Sequence, residues 1–104
     1  MSLRRYEIIL PTRFNDGTPI AEENHLWVAE LLAAQFGAYT MEPHPIRGVW
    51  THEGMRYEEN NLRVWVDVEE TPAVESFFAQ LKQEIKARFQ QIEIWIVSHE
   101  IRRV

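Results

Sequence analysis

Hydrophobic and polar positions along the chain repeat with a period of two in three segments, which predicts strands. Residues 6–10 form a β-rich run that Pro11 closes, because proline has no N–H to continue a ladder. Residues 62–68 alternate strictly between apolar and other side chains, and Ile92, Ile94 and Ile96 alternate in the same way near the end of the chain. These segments predict the first, third and last strands of a sheet.

Two other segments carry apolar residues at helical spacing. Residues 22–36 have acidic residues in the first turn and Gly37 placed to end the helix. Residues 72–89 follow Thr71, an N-cap residue, and begin with Pro72 at the first helical position. One apolar stripe runs along the second helix through Val74, Phe78, Leu81, Ile85 and Phe89.

The middle of the chain is less regular. Two prolines flank His44 within residues 38–45, which predicts a connecting loop. Residues 47–52 are typical of an extended strand and Glu53-Gly54 of a tight turn. Residues 55–61 leave two interpretations open: they extend the hairpin, or they form a bulged excursion at its tip.

The resulting order β-α-β-β-α-β predicts one α+β domain over residues 1–104 with a ferredoxin-like fold. Two helices cover one face of a four-stranded antiparallel sheet ordered 4-1-3-2, and alternation assigns the strand residues to its two faces. The residues predicted to face the helices are Ile8, Leu10, Leu62, Val64, Val66, Val68, Ile92, Ile94 and Ile96. The residues predicted on the open face are Glu7, Ile9, Arg63, Trp65, Asp67, Glu93, Trp95 and Val97.

Short motifs in the first 60 residues resemble an uncharacterised bacterial family of small ferredoxin-like proteins. The motifs are Leu-Pro-Thr-Arg-Phe-Asn-Asp-Gly at 10–17, Phe-Gly-Ala-Tyr-Thr at 36–40, Gly-Val-Trp at 48–50, Gly54 and Tyr57-Glu58. The resemblance implies the fold and carries no activity with it.

Composition narrows the classes of function. The 104 residues are 45% hydrophobic, which is enough to fill a core, and the formal charge of -5 disfavours binding to a nucleic-acid backbone. The chain has no cysteine, which excludes disulfides and thiolate chemistry. No apolar run approaches the roughly 20 residues of a membrane span, and residues 1–5 do not begin a signal peptide. We expect a cytoplasmic protein without membrane or nucleic-acid partners.

Strand direction brings polar residues together at one end of the predicted sheet. The loop after the first strand and the hairpin meet there, which predicts a candidate site for a small anion or for acid-base chemistry. The candidate ligand-binding residues are Arg13, Asn15, Asp16, Trp50, His52, Tyr57 and Glu58. In this hypothesis Arg13 orients an anionic group, Asp16 or Glu58 accepts a hydrogen bond or a proton, and His52 moves a proton. The alternative is that these residues have ordinary turn and solvation roles.

Other catalytic signals are weak. His25, His44, His52 and His99 lack the close spacing of metal ligands, so we expect no metal and no cofactor. We expect His25 to be an exposed turn residue and His44 a loop residue. No serine stands in a nucleophile elbow, and no glycine-rich phosphate loop is present.

Four arginines are predicted at the opposite end of the sheet: Arg4, Arg5, Arg102 and Arg103. Such a cluster needs anions. The favoured source is internal, from acidic residues such as Asp67 and Glu70, and an acidic ligand or partner is the alternative.

The leading interpretation is therefore a non-enzymatic binding or accessory module that self-associates through the open face. Ile9, Trp65, Trp95 and Val97 would otherwise leave an exposed apolar patch, which predicts a homo-oligomer, most simply a homodimer. The competing explanation is that residues 55–61 or the C-terminal segment fold back over the sheet. The alternative function is a small enzyme or anionic-ligand binder with its pocket between the loop after the first strand and the hairpin at 52–61.

Overall fold

The computed structural model describes residues 2–42 and 44–104. Met1 and Pro43, the latter inside the predicted loop at 38–45, lie outside the described residues. The elements in chain order are β1 (Leu3–Pro11), α1 (Glu22–Phe36), β2 (Thr40–Met41), β3 (Ile46–His52), β4 (Met55–Glu69), α2 (Pro72–Arg88) and β5 (Trp95–Glu100).

The sheet is antiparallel, with β1 at its centre between β4 and β5. On the far side of β4, the short β2 pairs with its inner part and β3 with its outer part. The predicted ferredoxin-like α+β fold is therefore confirmed, with five strands among the described residues where four were expected. The second position of the sheet is divided into β2 and β3, and Pro45, which has no N–H to donate to a ladder, immediately precedes β3.

The prediction of a plain loop over residues 38–45 was accordingly incomplete, since Thr40 and Met41 pair with Trp65 and Val64. The ambiguous residues 55–61 extend the hairpin and make β4 a strand of 15 residues. A two-residue turn closes the hairpin, with positive φ angles of 50° at Glu53 and 77° at Gly54. Such turns match the twist of antiparallel strands and keep their register fixed.

Both helices begin where the sequence predicts; α1 also ends as predicted, and α2 ends one residue earlier, at Arg88. The Thr71 side chain accepts a hydrogen bond from the Val74 N–H, which caps α2. Gly37 takes the left-handed conformation at φ 77° after α1, and its N–H donates to the Ala33 carbonyl oxygen at 2.8 Å.

One core joins both helices to a single face of the sheet. Its buried members are Tyr6, Ile8, Leu10, Ile20, Val28, Leu32, Val64, Val66, Val68, Phe78, Leu81, Ile85, Phe89 and Ile94. Leu62 and Ile96 are partly buried against it, as predicted.

Tyr6 is a third residue of β1 in the core, beside Ile8 and Leu10. Its hydroxyl donates a hydrogen bond to the Glu70 carboxylate at 2.7 Å. Burial and this hydrogen bond raise the pKa of Tyr6 to about 12, so the phenol stays neutral near pH 7.

Two predictions about the core were wrong. Ile92 was expected to face the helices, but it is 48% exposed and precedes β5. The reason is a turn after α2, where Gln90 has a positive φ of 53°. His25 was expected at the surface, but it is buried in α1, with Nε2 2.9 Å from the Pro11 carbonyl oxygen and its ring edge-on to Phe89.

Neither helix in the described part of the chain is long and apolar enough to cross a membrane.

Candidate functional site

The loop after β1 and the outer half of β4 enclose a polar cleft of about 510 Å³. Two hydrogen bonds hold the loop against β4: the Asn60 carbonyl oxygen accepts from the Thr12 N–H at 3.1 Å and from the Thr12 hydroxyl at 2.7 Å. The residues that line the polar cleft are Arg13, Phe14, Asn15, Gly17, Arg47, Tyr57, Glu58, Glu59 and Asn60. Four candidate residues from the sequence therefore meet here, namely Arg13, Asn15, Tyr57 and Glu58.

Asp16 does not line the cleft, because its carboxylate serves its own turn. Its Oδ1 accepts from the Thr18 N–H at 2.9 Å and from the Thr18 hydroxyl at 2.7 Å. These hydrogen bonds lower the pKa of Asp16, which therefore acts as a turn acceptor. Arg13 also holds the turn, since its Nη1 donates to the Gly17 carbonyl oxygen at 2.8 Å.

Trp50 and His52 lie on the hairpin outside the polar cleft. Trp50 pairs with Tyr57 across the strands, and their rings stack with centroids 4.5 Å apart. His52 pairs with Met55 at the hairpin turn and lies 6.0 Å from the Trp50 ring centroid. The hairpin register therefore separates His52 from Arg13, which the sequence had predicted to share one site.

Arg47 is a cleft residue that sequence reasoning missed. It enters the polar cleft because the hairpin register places it opposite Asn60. Glu58 faces both Arg47, at 3.4 Å, and Arg56, at 3.1 Å, and these side chains are mostly in solvent. Such exposed pairs are worth little, so the Arg13 and Arg47 guanidinium groups remain able to hydrogen-bond an anion. Within residues 2–42 and 44–104, no group of three or more histidine, aspartate and glutamate side chains is placed to hold a metal ion.

The arginines at the other end of the sheet point in different directions. Arg4 reaches the Glu70 carboxylate at 3.3 Å, whereas Arg5 reaches the Asp67 carboxylate at 2.7 Å. The predicted internal source of anions is thus present for these two. Arg102 and Arg103 follow β5 and line an open cleft of about 540 Å³ together with Arg5 and Asp67.

The four apolar residues predicted on the open face are interleaved with charged residues. Ile9 pairs with Trp95 on one side and Arg63 on the other, and Glu7 pairs with Val97 and Trp65. Trp95 is 62% exposed, whereas the other three are partly buried. Most of the Trp95 side chain is therefore uncovered on the open face.

Arg63 organises the charged part of the open face. Its guanidinium binds the Glu7 carboxylate at 2.5 Å and the Glu42 carboxylate at 3.1 Å, and it lies 4.3 Å from the Trp65 ring centroid. The contact with Arg63 lowers the pKa of Glu7, and the Arg5 guanidinium does the same for Asp67. On the open face, the exposed apolar surface is therefore concentrated at Trp95, beside the ion pairs of Arg63 with Glu7 and of Arg5 with Asp67.

Comparison of the sequence with protein-family models and with characterised proteins gives no match. Solved structures do resemble it. A phage SAM lyase in complex with S-methyl-5′-thioadenosine superposes with a TM-score of 0.72 at 15% identity, covering 95% of this chain and 81% of that chain. The divalent cation tolerance protein Cut A1 from Thermus thermophilus gives 0.66 at 19% identity, over 98% and 86% of the two chains. CutA1 from Oryza sativa gives 0.67 at 13% identity, over 100% and 84%. At these identities the likeness establishes the fold that the chain shares with these proteins.

Proposed function

We propose that the protein is a small non-enzymatic binding or accessory module of the cytoplasm that self-associates through the open sheet face, most simply as a homodimer. The observation that carries the proposal is Trp95, a large aromatic side chain 62% exposed on a face that neither helix covers. Aromatic residues of this kind are the usual anchors of protein interfaces.

The charges of the open face are compatible with burial against a second copy. Glu7 is held by Arg63, and Asp67 by Arg5, within the same chain. Covering the face would therefore bury ion pairs whose partners are already in place, and not isolated charges.

Sedimentation tests the self-association. At about 50 µM, a range in which ordinary oligomers assemble, we expect a species of at least twice the 12.4 kDa chain mass. Trp95→Ser should weaken association about tenfold or more, because it removes the anchor from both copies. Ile92→Ser is the matched control, since Ile92 is similarly exposed but lies outside β5. A monomer alone, or equal effects of the two substitutions, would contradict the proposal.

A second candidate function is the binding of a small anionic ligand in the polar cleft. The supporting observation is that the Arg13 and Arg47 guanidinium groups line the same cleft beside Tyr57. Two guanidinium groups offer several N–H donors to one phosphate or carboxylate.

Thermal unfolding with inorganic phosphate and with citrate tests this second candidate. Saturating ligand should raise the Tm by about 4 °C or more, because it binds only the folded chain. Arg13→Gln should abolish the rise in Tm. Arg56→Gln should retain it, because Arg56 lies on the hairpin that carries Arg47 but outside the lining of the cleft. An unchanged Tm with both anions would remove this candidate.

A further inference from the structure

The strand β5 is an edge strand without the usual protection. Within residues 2–42 and 44–104, it pairs with β1 on one side and with no strand on the other. Proteins commonly protect such an edge with a proline, a lysine or a bulge. The β5 segment Trp-Ile-Val-Ser-His-Glu has neither proline nor lysine, and its register with β1 is continuous from end to end. The outer edge of β5 is therefore open to a further strand.

The pairing with β1 identifies which backbone groups of β5 are free. The Ile101 N–H donates to the Leu3 carbonyl oxygen at 2.9 Å, and these two residues continue the register between β1 and β5. Along an antiparallel pair, hydrogen-bonded and non-hydrogen-bonded residues alternate. The odd-numbered residues of β5 therefore direct their N–H and C=O groups to β1. The outward groups belong to Ile96, Ser98 and Glu100.

These three residues are complementary to the same three in a second copy. When two β5 strands pair antiparallel across a two-fold axis at Ser98, Ser98 faces Ser98 of the second copy. Ile96 then faces Glu100, and Glu100 faces Ile96. Each hydrogen-bonded pair exchanges two N–H···O bonds, so the three pairs supply about six. Any shift of register leaves at least one of the three residues in each copy outside the set.

The same register brings apolar side chains together on the open face. Trp95 lies on that face because it pairs with Ile9, and no strand flanks it on the outer side. In the paired strands Trp95 faces Ile101 of the second copy, and Val97 faces His99. Cross-strand pairs of an aromatic and a β-branched residue are stabilising. The pairing therefore covers part of a side chain that is 62% exposed, and it sets no like charges opposite each other.

The other edge of the sheet is less suited to pairing. It is divided between β2, which has two residues, and β3, which Pro45 immediately precedes. β5 offers six residues without interruption. In a second copy, the edge that matches β5 is therefore β5 itself, and a two-fold contact of this kind closes after two copies.

We propose that two copies of the chain join edge to edge through β5, antiparallel and centred on Ser98, so that their sheets form one continuous sheet. The inference rests on the proposed self-association and specifies its geometry. The two open faces lie side by side, with one Trp95 on each side of the two-fold axis.

Ser98→Pro tests the backbone pairing. Proline removes the N–H at the two-fold axis and leaves the hydrogen bonds with β1 in place, because this N–H points away from β1. In sedimentation, association should weaken about tenfold or more, since the donors of both copies are lost. Ser98→Ala is the matched control. Both variants lose the hydroxyl that accepts from Arg4 Nε at 3.2 Å, but alanine keeps the N–H and should associate as the unaltered protein does.

A single cysteine tests the register by a second route. The unaltered chain has no cysteine, so any thiol cross-link joins the introduced residues. In the proposed register the two Cα atoms at position 98 lie about 5.5 Å apart. The two at position 100 are offset by four residues, or about 14 Å along the strands. A short bis-maleimide should therefore join Ser98→Cys into a covalent dimer and leave Glu100→Cys, at a more exposed position, mostly monomeric on a denaturing gel.

The outcomes separate this geometry from self-association in general. A monomer in sedimentation would remove both proposals. A dimer that Ser98→Pro and Ser98→Ala weaken equally, or that neither weakens, would leave the self-association standing and show that β5 edges do not pair. Equal cross-linking of Ser98→Cys and Glu100→Cys would do the same. If circular dichroism shows that Ser98→Pro does not fold, the cross-linking result decides.

Discussion

Replacing Phe89 with alanine is expected to lower the free energy of unfolding by about 3 to 5 kcal/mol. Phe89 is the fully buried C-cap residue of α2, and its ring lies 5.5 Å from the His25 ring in an edge-on contact. The substitution leaves a cavity between the two helices that the surrounding side chains cannot fill completely. Urea denaturation followed by circular dichroism measures the loss as a lower midpoint at an unchanged m-value.

The control for Phe89→Ala is Ile92→Ala, three residues farther along the chain and 48% exposed. Its effect should stay below about 1 kcal/mol, because little apolar surface leaves water at this position when the chain folds. Equal losses in the free energy of unfolding for the two substitutions would show that burial of Phe89 in the core does not stabilise the fold.

Replacing Arg63 with leucine is expected to cost about 2 to 3 kcal/mol at pH 7. The change removes the partner of the Glu7 carboxylate, whose side chain is only 19% exposed, and also the cation above the Trp65 ring. A partly buried carboxylate without its partner loses hydration without compensation. Arg47→Leu provides the matched control, since that arginine is 71% exposed in its pair with Glu58 and should change stability by about 0.5 kcal/mol or less.

The cost of Arg63→Leu depends on pH in a defined direction. Arg63 lowers the pKa of Glu7 in the folded protein below its ordinary value of 4.5. The stability from this pair is therefore complete above pH 4.5 and is lost as the pH falls through the lower, folded pKa. The difference between the unaltered protein and Arg63→Leu should narrow in the same range. A difference that is constant from pH 7 to pH 3, in urea titrations spaced by about half a pH unit, would show that Glu7 is not the partner that matters.

The parts of the fold that the sequence predicts are those in which local periodicity and burial agree. The stripe from Val74 to Phe89 and the alternation through Val64 and Val66 each place their members on the face that packs into the core. Local patterning fails in the outer half of β4, where exposed polar residues cover both faces. Ile92 shows the opposite error, because apolar alternation continued through a segment that the turn at Gln90 takes out of the sheet.

The sites divide in a similar way. The order and direction of the strands are enough to predict that Arg13 lies near Tyr57, because they place the loop after β1 beside the outer half of β4. The separation of His52 from Arg13 depends on where the hairpin turns, and a shift of register moves every cross-strand pair. Arg47 escaped prediction because only the pairing of β3 with β4 places it opposite Asn60.

The central position of β1 determines when the chain can complete its sheet. Leu3 pairs with Glu69, and Arg4 pairs with Glu100, so β1 leaves the ribosome well before either of the strands that pair with it. The β3–β4 hairpin, whose strands are joined by a two-residue turn, needs no such delay. Closing long loops before any distant contact forms slows folding. During synthesis, therefore, the hairpin is able to form early while the apolar side chains of β1 stay exposed. The sheet is complete only when β5 has been released.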